Sequence, residues 1–215
     1  MARPIQADAG ATKQRVLEAA CSLFAELGLS QTTTRQIAKR AEVSLATMHH
    51  YFGTKGDLYQ TCIDTTYTEL GTLADELEAA ALDLGQGTTL SSLVEMTIRR
   101  SYEFARRHRA EVRLLMRRIL DKGEADPELR ERYQLPLLER GVAMLAAATQ
   151  RPVSSVRITF LAMHHIIVNF ALTSSREIAI VTGNPTASPE LCITLIEDHL
   201  VSMALTQLGL QGNSP

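Results

Sequence analysis

Tryptophan is absent from this 215-residue chain, and aromatic residues make up only 5% of it. Aliphatic residues and methionine must therefore fill any core, and a hydrophobic share of 45% is enough for one or two cores of ordinary size. No run of alternating β-branched residues predicts a strand, whereas long stretches rich in Ala, Leu, Glu and Arg favour helices. The composition therefore predicts an all-α protein.

Cysteine is scarce as well. Cys21, Cys62 and Cys192 are far apart and lack a CxxC spacing, so we expect small core residues in a reducing cytoplasm. No stretch reaches the roughly 18 uninterrupted apolar residues of a membrane span. Residues 1–10 also lack the apolar centre of a signal peptide. These absences predict a cytoplasmic protein without membrane contact.

Sequence signatures of enzymes and of metal or cofactor sites are missing too. Metalloprotease, nucleophile-elbow, phosphate-loop and dinucleotide motifs do not occur, so we expect no catalytic residue and no cofactor. His164 and His165 are adjacent on a predicted helix that offers no further ligand, which argues against a metal ion. The net charge is −2, but residues 1–60 hold seven Lys or Arg against five Asp or Glu. This mild asymmetry weakly supports an N-terminal region that faces DNA.

Local signals predict the order of the helices. A loose arm over residues 1–10 precedes a helix from Thr12 to Leu27, which Gly28 ends. A capping box of Thr33 and Gln36 begins the second helix, and Ser44 caps the third, which ends near Tyr51. Thr54 and Asp57 form another capping box, which begins a helix over about 54–77. Further helices are expected at about 89–107, 109–120, 153–174 and 189–208. One more helix is expected to begin at residue 127 and to bend or restart at Pro136.

The second and third helices, joined by the turn 41–43, have the layout of a helix-turn-helix. Such a unit presents its second helix to the major groove of DNA. Ser44 and Thr47 are short hydrogen-bonding residues, and longer side chains follow them for phosphates or base edges. Lys55 at a helix N-terminus suits a phosphate. The predicted DNA contacts are Thr33, Thr34, Arg35, Ser44, Leu45, Thr47, His49, His50, Tyr51 and Lys55.

Three stretches then resemble the TetR family of regulators: Lys13–Gly28, Thr32–Ala38 and Val43–Leu58. The resemblance covers residues 12–60 and is specific, because several coupled positions agree. It implies an Ω-shaped helical homodimer whose C-terminal domain binds a small-molecule inducer, and repression as the usual outcome. Four positions depart from the family pattern. Glu42 and Ala46 stand where Gly is common, and Leu45, which would contact a thymine methyl, stands where a polar or basic residue is common. His49 stands where the family commonly has a Tyr that contacts phosphate.

Two domains are expected: residues 1–56 for DNA binding, and residues 57–215 for effector recognition and dimerisation. The last two helices are apolar over more than one stripe, which predicts a four-helix seam between two copies. Candidate effector contacts combine apolar residues with the arginine-rich stretch 99–118 and a polar pair on the helix at 153–174. They are Met96, Arg99, Tyr102, Met116, Arg117, His165 and Asn169.

Structural alternatives stay open for several of these residues. Tyr51 is as well explained by a small core as by DNA contact, and His49 and His50 cannot both face the groove because they are adjacent on a helix. The arginines of stretch 99–118 suit a solvated helix face as well as an anionic ligand. The alternative function is accordingly a small helical enzyme or adaptor that uses this stretch to bind an anion.

Overall fold

The computed structural model describes residues 5–84, 87–123 and 126–210, without the side chains of residues 5–8, 118, 121 and 122. Within these ranges the regular structure is helical, with one isolated bridge between Leu84 and Thr88, so the predicted all-α class is confirmed. The helices are α1 (Ile5–Gln31), α2 (Thr34–Arg40), α3 (Leu45–Phe52), α4 (Lys55–Leu82), α5 (Leu90–Arg107), α6 (Arg109–Lys122), α7 (Pro127–Leu129), α8 (Leu135–Thr149), α9 (Val153–Leu172), α10 (Ser175–Val181) and α11 (Pro189–Leu208).

The described residues form two compact units. Unit 1 draws on Met1–Glu69 and Ala110–Asp126, and unit 2 on Leu70–Arg109 and Pro127–Pro215. The chain thus enters unit 2 within α4, returns to unit 1 for α6 and leaves again before α7. The predicted division after residue 56 is a functional one and stays a prediction.

Unit 1 is built around one face of α1. Its side chains recur at helical spacing and are buried together with apolar residues of α2, α3 and α4. The Phe24 ring meets the Tyr59 ring edge-on, with centroids 5.1 Å apart. Each fully buried aliphatic or aromatic side chain contributes about 1.5–3 kcal/mol of transfer free energy. The central residues are Val16, Ala20, Leu23, Phe24, Ile37, Met48 and Leu58.

The two ends of α1 were predicted with unequal success. Gly28 interrupts the helix with φ 80° and ψ 166°, as predicted, and one more turn follows it to Gln31. The buried hydroxyl of Thr32 closes this end by donating to the carbonyls of Leu23 (3.1 Å) and Gly28 (2.8 Å). The loose arm over residues 1–10 is wrong, because α1 already begins at Ile5; residues 1–4 of that arm lie outside the described residues.

Unit 2 is organised around α5, whose buried face packs against α9 and α11. That face consists of Leu93, Val94, Ile98, Tyr102 and Ala105. The break expected at Pro136 is confirmed as a π-helical turn, Arg130–Gln134, which accommodates a residue without a backbone N–H. Gly141 of α8 lies so close to the Phe160 ring of α9 that a Cβ there would stand 2.4 Å from the ring.

The connection between α9 and α11 contains a helix that the sequence patterns missed. Ser174 caps α10 by accepting from the Glu177 N–H at 3.1 Å. Within the described chain, α9 and α11 are also long and apolar enough to cross a membrane by length and composition alone, a test that core helices of water-soluble proteins pass as well. Ile158, 71% exposed, and Leu195, 44% exposed, belong to these two helices.

Candidate nucleic-acid interface

The start of α2 has the predicted capping box. The Thr33 hydroxyl accepts from the Gln36 N–H at 3.2 Å, and the Gln36 side chain accepts from the Thr33 N–H at 2.7 Å. Two backbone donors at the helix N-terminus are thereby satisfied. Arg35, in the first turn, is exposed, and Thr34 is half-buried.

The turn between α2 and α3 is closed by backbone hydrogen bonds. The Val43 N–H donates to the Ala38 carbonyl at 3.0 Å, and Glu42 takes a left-handed conformation with φ 56°. A side chain at such a position is strained, which is why glycine is favoured there. Glu42 therefore keeps the turn at a cost in stability.

The first turn of α3 carries a pair of hydrogen-bonded hydroxyls. Ser44 caps the helix by accepting from the Thr47 N–H at 2.9 Å, and the two hydroxyl oxygens lie 2.7 Å apart. Met48, in the next turn of the helix, is fully buried, whereas Leu45 is 37% exposed. The exposed face of α3 is consequently held by a capped N-terminus and a buried anchor.

The last turn of α3 orients His49 through its own backbone. The Nδ1–H of His49 donates to the Gly53 carbonyl at 2.7 Å. This bond requires a proton on Nδ1 and holds the exposed His49 ring in a fixed orientation. His50 has a different environment, since its ring lies 5.2 Å from the Tyr51 ring. Tyr51, half-buried, also has the ammonium of Lys13 over its ring at 5.4 Å.

The junction from α3 to α4 is the second predicted capping box. The Asp57 carboxylate accepts from both the N–H and the hydroxyl of Thr54 at 2.8 Å. These bonds from Thr54 lower the pKa of Asp57. Gly53 has φ 68°, and a Cβ there would lie 2.8 Å from the Asp57 Oδ2 atom.

Lys55 differs from the outward orientation that the sequence suggested. Its ammonium donates to the carbonyls of Leu29 (2.7 Å) and Thr32 (2.9 Å), just after the interruption of α1 at Gly28. Arg117 of α6 donates to the neighbouring Glu26 carbonyl at 2.9 Å. Cations suit the carbonyl end of a helix. Two of the three ammonium protons of Lys55 are thus committed within unit 1.

None of the ten predicted DNA contacts is buried. Lys55 is half-buried, as are Thr34, Thr47 and Tyr51, and the remaining six are exposed. They all lie on α2, on α3, in the turn before each of them, or at the start of α4. Their roles in DNA contact stay predictions.

The predicted effector contacts are divided between the two units. Met116 and Arg117 belong to unit 1, and the other five to unit 2. Arg99 is paired with Glu95, Glu197 and Asp198, at 3.0, 3.4 and 2.8 Å. His165 donates from Nδ1 to the carbonyl one turn earlier, at 2.7 Å, and both it and Asn169 are exposed. Tyr102 is fully buried and Met96 half-buried.

Two of the distant cysteines meet in unit 1, which the sequence did not indicate. Cys21 of α1 and Cys62 of α4 are buried, and the Cys62 thiol also approaches the Leu17 carbonyl at 3.9 Å. A hydrogen bond with Cys62 raises the pKa of the Cys21 thiol, and burial of the thiol raises it further. The Cys21 thiol therefore stays protonated, and both cysteines are buried, as expected for core residues. The part of the chain that the structure describes contains no cluster of three potential metal ligands.

Comparison with known proteins agrees with this geometry. Residues 16–62, which run from α1 into α4, match the family described as bacterial regulatory proteins, tetR family. The chain is 33% identical over 85 residues to the probable HTH-type transcriptional regulator YttP of Bacillus subtilis, which is 40% of each protein. It is also 33% identical over 98 residues to the HTH-type transcriptional regulator AcrR of Shigella flexneri, 46% of this chain and 44% of AcrR. The chain thus matches less than half the length of these two relatives.

Solved structures extend the likeness to nearly the whole fold. A TetR-like transcriptional regulator from Rhodococcus sp. RHA1 superposes with a TM-score of 0.60 at 20% identity, covering 96% of this chain and 98% of that one. A γ-butyrolactone receptor described as ArpA-like gives a TM-score of 0.58 at 19% identity over 91% and 99% of the two chains. Residues 16–62 therefore match the tetR family of bacterial regulatory proteins, and nearly the whole chain has the fold of TetR-like regulators.

Proposed function

We propose that this protein is a ligand-responsive transcriptional regulator that binds double-stranded DNA through α3. The observation that carries the proposal is the geometry of α3, a short helix that is capped by Ser44 and anchored by the buried Met48. Together with its N-cap, this helix holds six of the predicted DNA contacts, and it lies in the segment that matches the tetR family. Such a stiff, exposed helix after a tight turn is what major-groove recognition requires. The named relatives are regulators, which favours this function over an enzyme or an adaptor.

The proposed assembly is a cytoplasmic homodimer on a palindromic operator. Two recognition helices related by a two-fold axis contact half-sites about 34–36 Å apart, or a multiple of that distance. The seam is formed by α9 and α11, whose apolar side chains Ile158, Leu161, Leu191 and Leu195 are exposed in the single chain. Residues 1–56 serve DNA binding, and the remainder serves dimerisation and effector binding.

An effector acts on this assembly by shifting populations. In one conformation of the dimer, the spacing of the two recognition helices does not match the operator. A molecule that binds only this conformation weakens operator binding, and the size of the effect is set by the difference between its affinities for the two conformations. Two structural neighbours are named for small molecules or their metabolism, the γ-butyrolactone receptor and a fatty acid degradation regulator from Bacillus halodurans. Repression released by a small molecule is accordingly the proposed regulatory outcome.

The decisive experiment measures binding of the full chain to the promoter beside its own gene and to a shuffled duplex. We expect tighter binding to the promoter and an affinity that falls with salt, by about 0.9 logarithmic units per neutralised phosphate for each tenfold rise in salt. Equal affinity for both duplexes, or none at low salt, would refute the proposal.

Two variants separate base contacts from phosphate contacts. Thr47→Ala removes a hydroxyl but keeps the N–H that Ser44 caps, so it should change base preference by about 1–3 kcal/mol without unfolding α3. Lys55→Ala should weaken binding to both duplexes and reduce the salt slope by about 1 if the third ammonium proton reaches a phosphate. If the salt slope is unchanged and the melting temperature is lower, Lys55 does not contact a phosphate, and its role is to stabilise the end of α1.

A further inference from the structure

The four arginines of α5 differ in whether a carboxylate pairs with them. Arg99 pairs with three carboxylates, and Arg107 donates to Glu103 at 2.6 Å. Arg100 lies 3.6 Å from Glu76. Arg106 is the exception, because no carboxylate among the described residues pairs with it. Its half-buried guanidinium lies over the Tyr102 ring instead, with its central carbon 5.8 Å from the ring centre.

Tyr102 has an unmet requirement of its own. The side chain is fully buried, and its hydroxyl has no hydrogen-bond partner in the described structure. An unsatisfied buried hydroxyl is costly and rare in folded proteins, and it calls for a specific explanation. Phenylalanine would fill the same space without that cost. The hydroxyl and the unpaired cation are also one helical turn apart, so they lie on one face of α5.

We propose that Tyr102 and Arg106 form the recognition site for the carboxylate of a mostly apolar small molecule. The phenol hydroxyl donates to one carboxylate oxygen, and the guanidinium of Arg106 supplies the opposite charge. The other buried residues next to Tyr102 on this face, Ile98 and Ala105, are apolar, so the rest of the ligand is apolar too. This inference rests on the proposed function, since it names the chemical class of the effector.

The site differs from the one that the arginine-rich stretch suggested. Arg99 is already paired with three carboxylates, and Arg117 belongs to unit 1, where it donates to the Glu26 carbonyl. Arg106 is one of the eight arginines in that stretch. Its distinction is the missing carboxylate partner beside an unpaired buried hydroxyl, and only the folded chain shows it.

The test uses the full chain with hexanoate, octanoate, decanoate and dodecanoate as probes, and the methyl ester of the best probe as the uncharged match. Binding is measured by isothermal titration calorimetry for the wild type and for Tyr102→Phe, Arg106→Gln and Arg107→Gln. The last variant is the matched control, because Arg107 is exposed and pairs with Glu103.

We expect at least one carboxylate to bind the wild type and its methyl ester to bind more weakly. Tyr102→Phe and Arg106→Gln should each weaken binding about 10- to 100-fold, the range for hydrogen bonds to charged groups. Arg107→Gln should bind like the wild type. The ligand-free Tyr102→Phe protein should melt no lower than the wild type, since it loses an unpaired polar group.

Two results would overturn the inference. One is that no carboxylate of the series binds the wild type; the other is that Tyr102→Phe binds as tightly as Arg107→Gln. A lower melting temperature of ligand-free Tyr102→Phe would point to a water molecule as the partner of the hydroxyl and would count against the site. Promoter binding is measured on the same samples without carboxylate, so a protein that binds the promoter but no carboxylate leaves the proposed function standing.

Discussion

Glu42 occupies the one backbone position in the helix-turn-helix where a side chain is strained. Its φ of 56° lies in the left-handed region, and the turn depends on it because the next N–H reaches back to Ala38. A glycine avoids this strain, although it also makes the unfolded chain more flexible. The strain therefore comes from the side chain of Glu42, and a glycine could form the same turn without it.

We predict that Glu42→Gly raises the free energy of unfolding by about 0.5 kcal/mol, the balance of relieved strain against added chain entropy. Urea unfolding followed by circular dichroism measures the change. Glu42→Ala is the control, because alanine keeps the strained Cβ and should bring no gain. An equal gain from alanine would assign the effect to the charge of Glu42.

The neighbouring histidines offer a matched pair for a mutational test. The ring of His49 is held by its hydrogen bond to the Gly53 carbonyl, whereas the ring of His50 lies beside that of Tyr51. A side chain that is already held in place loses less conformational freedom when it contacts a phosphate, which favours His49 as the contact.

We therefore predict that His49→Gln weakens promoter binding more than His50→Gln does, because only the ring of His49 is held in place by a backbone carbonyl. Fluorescence anisotropy at constant pH and ionic strength measures both affinities. A larger loss in His50→Gln would assign the contact to His50.

At this scale the sequence predicted what depends on near neighbours. The caps of Thr33, Ser44 and Thr54 each involve a residue three positions away, so local patterns suffice. The partners of Lys55 and Arg117 are 26 and 91 residues distant from them in sequence. No local pattern carries that information, because it arises only when α4 and α6 pack beside the end of α1.

Among the elements, α4 depends most on how it begins. Gly53 combines a positive φ with a space that the Asp57 carboxylate nearly fills. A side chain there has to adopt a disfavoured backbone conformation and also displace the acceptor of the capping box. Gly71, inside the same helix, has open space where a Cβ would go.

We predict opposite effects at these two glycines. Gly53→Ala should lower the free energy of unfolding by about 2 kcal/mol through backbone strain and the disturbed cap. Gly71→Ala should raise it by up to about 1 kcal/mol, because alanine is the better helix former. Thermal unfolding of both variants tests this; a loss at Gly71 as large as at Gly53 would contradict the structural difference.

The helix missed by sequence patterns shows why short elements are difficult. α10 has only seven residues, and the strong turn signals Gly183 and Pro185 follow directly. Its one local sign is the pairing of Ser174 with Glu177 three positions later, a capping signature that was present in the sequence. The stability of so short a helix comes from burying Ile178 and Ala179 rather than from propensity.

For the molecule as a whole, the apolar faces of α9 and α11 are the features on which the proposed dimer seam depends. Ile158 is 71% exposed and Leu195 44% exposed in the single chain. Exposed apolar side chains that line adjoining helices of one unit mark an interaction surface. A palindromic operator has the same two-fold symmetry as the proposed pair.

We predict that the double variant Ile158→Asp, Leu195→Asp is a monomer with greatly reduced promoter affinity, since each half-site is then bound alone. Leu82→Asp is the control: Leu82 is 82% exposed at the end of α4, outside the proposed seam. Analytical ultracentrifugation gives the mass of each variant. A dimeric double variant would place the seam elsewhere.

The sequence predicted the all-α class and the helix-turn-helix, but it could not assemble the effector residues. The sequence pattern groups Met116 and Arg117 with Tyr102 because they lie near it along the chain. The chain, however, returns to unit 1 at Ala110, so neighbours in sequence separate in space. The spacing of apolar residues in the sequence indicates which face of a helix is buried, but it does not indicate which unit that face packs into.

The contact between Gly141 and Phe160 has an evolutionary consequence. With a Cβ at position 141 only 2.4 Å from the aromatic ring, neither position can drift independently. Among descendants of this chain, a larger residue on α8 should arise only together with a smaller one on α9. The two positions should therefore be inherited as a pair, and that covariation would mark the alignment of these helices in sequences too divergent for ordinary comparison.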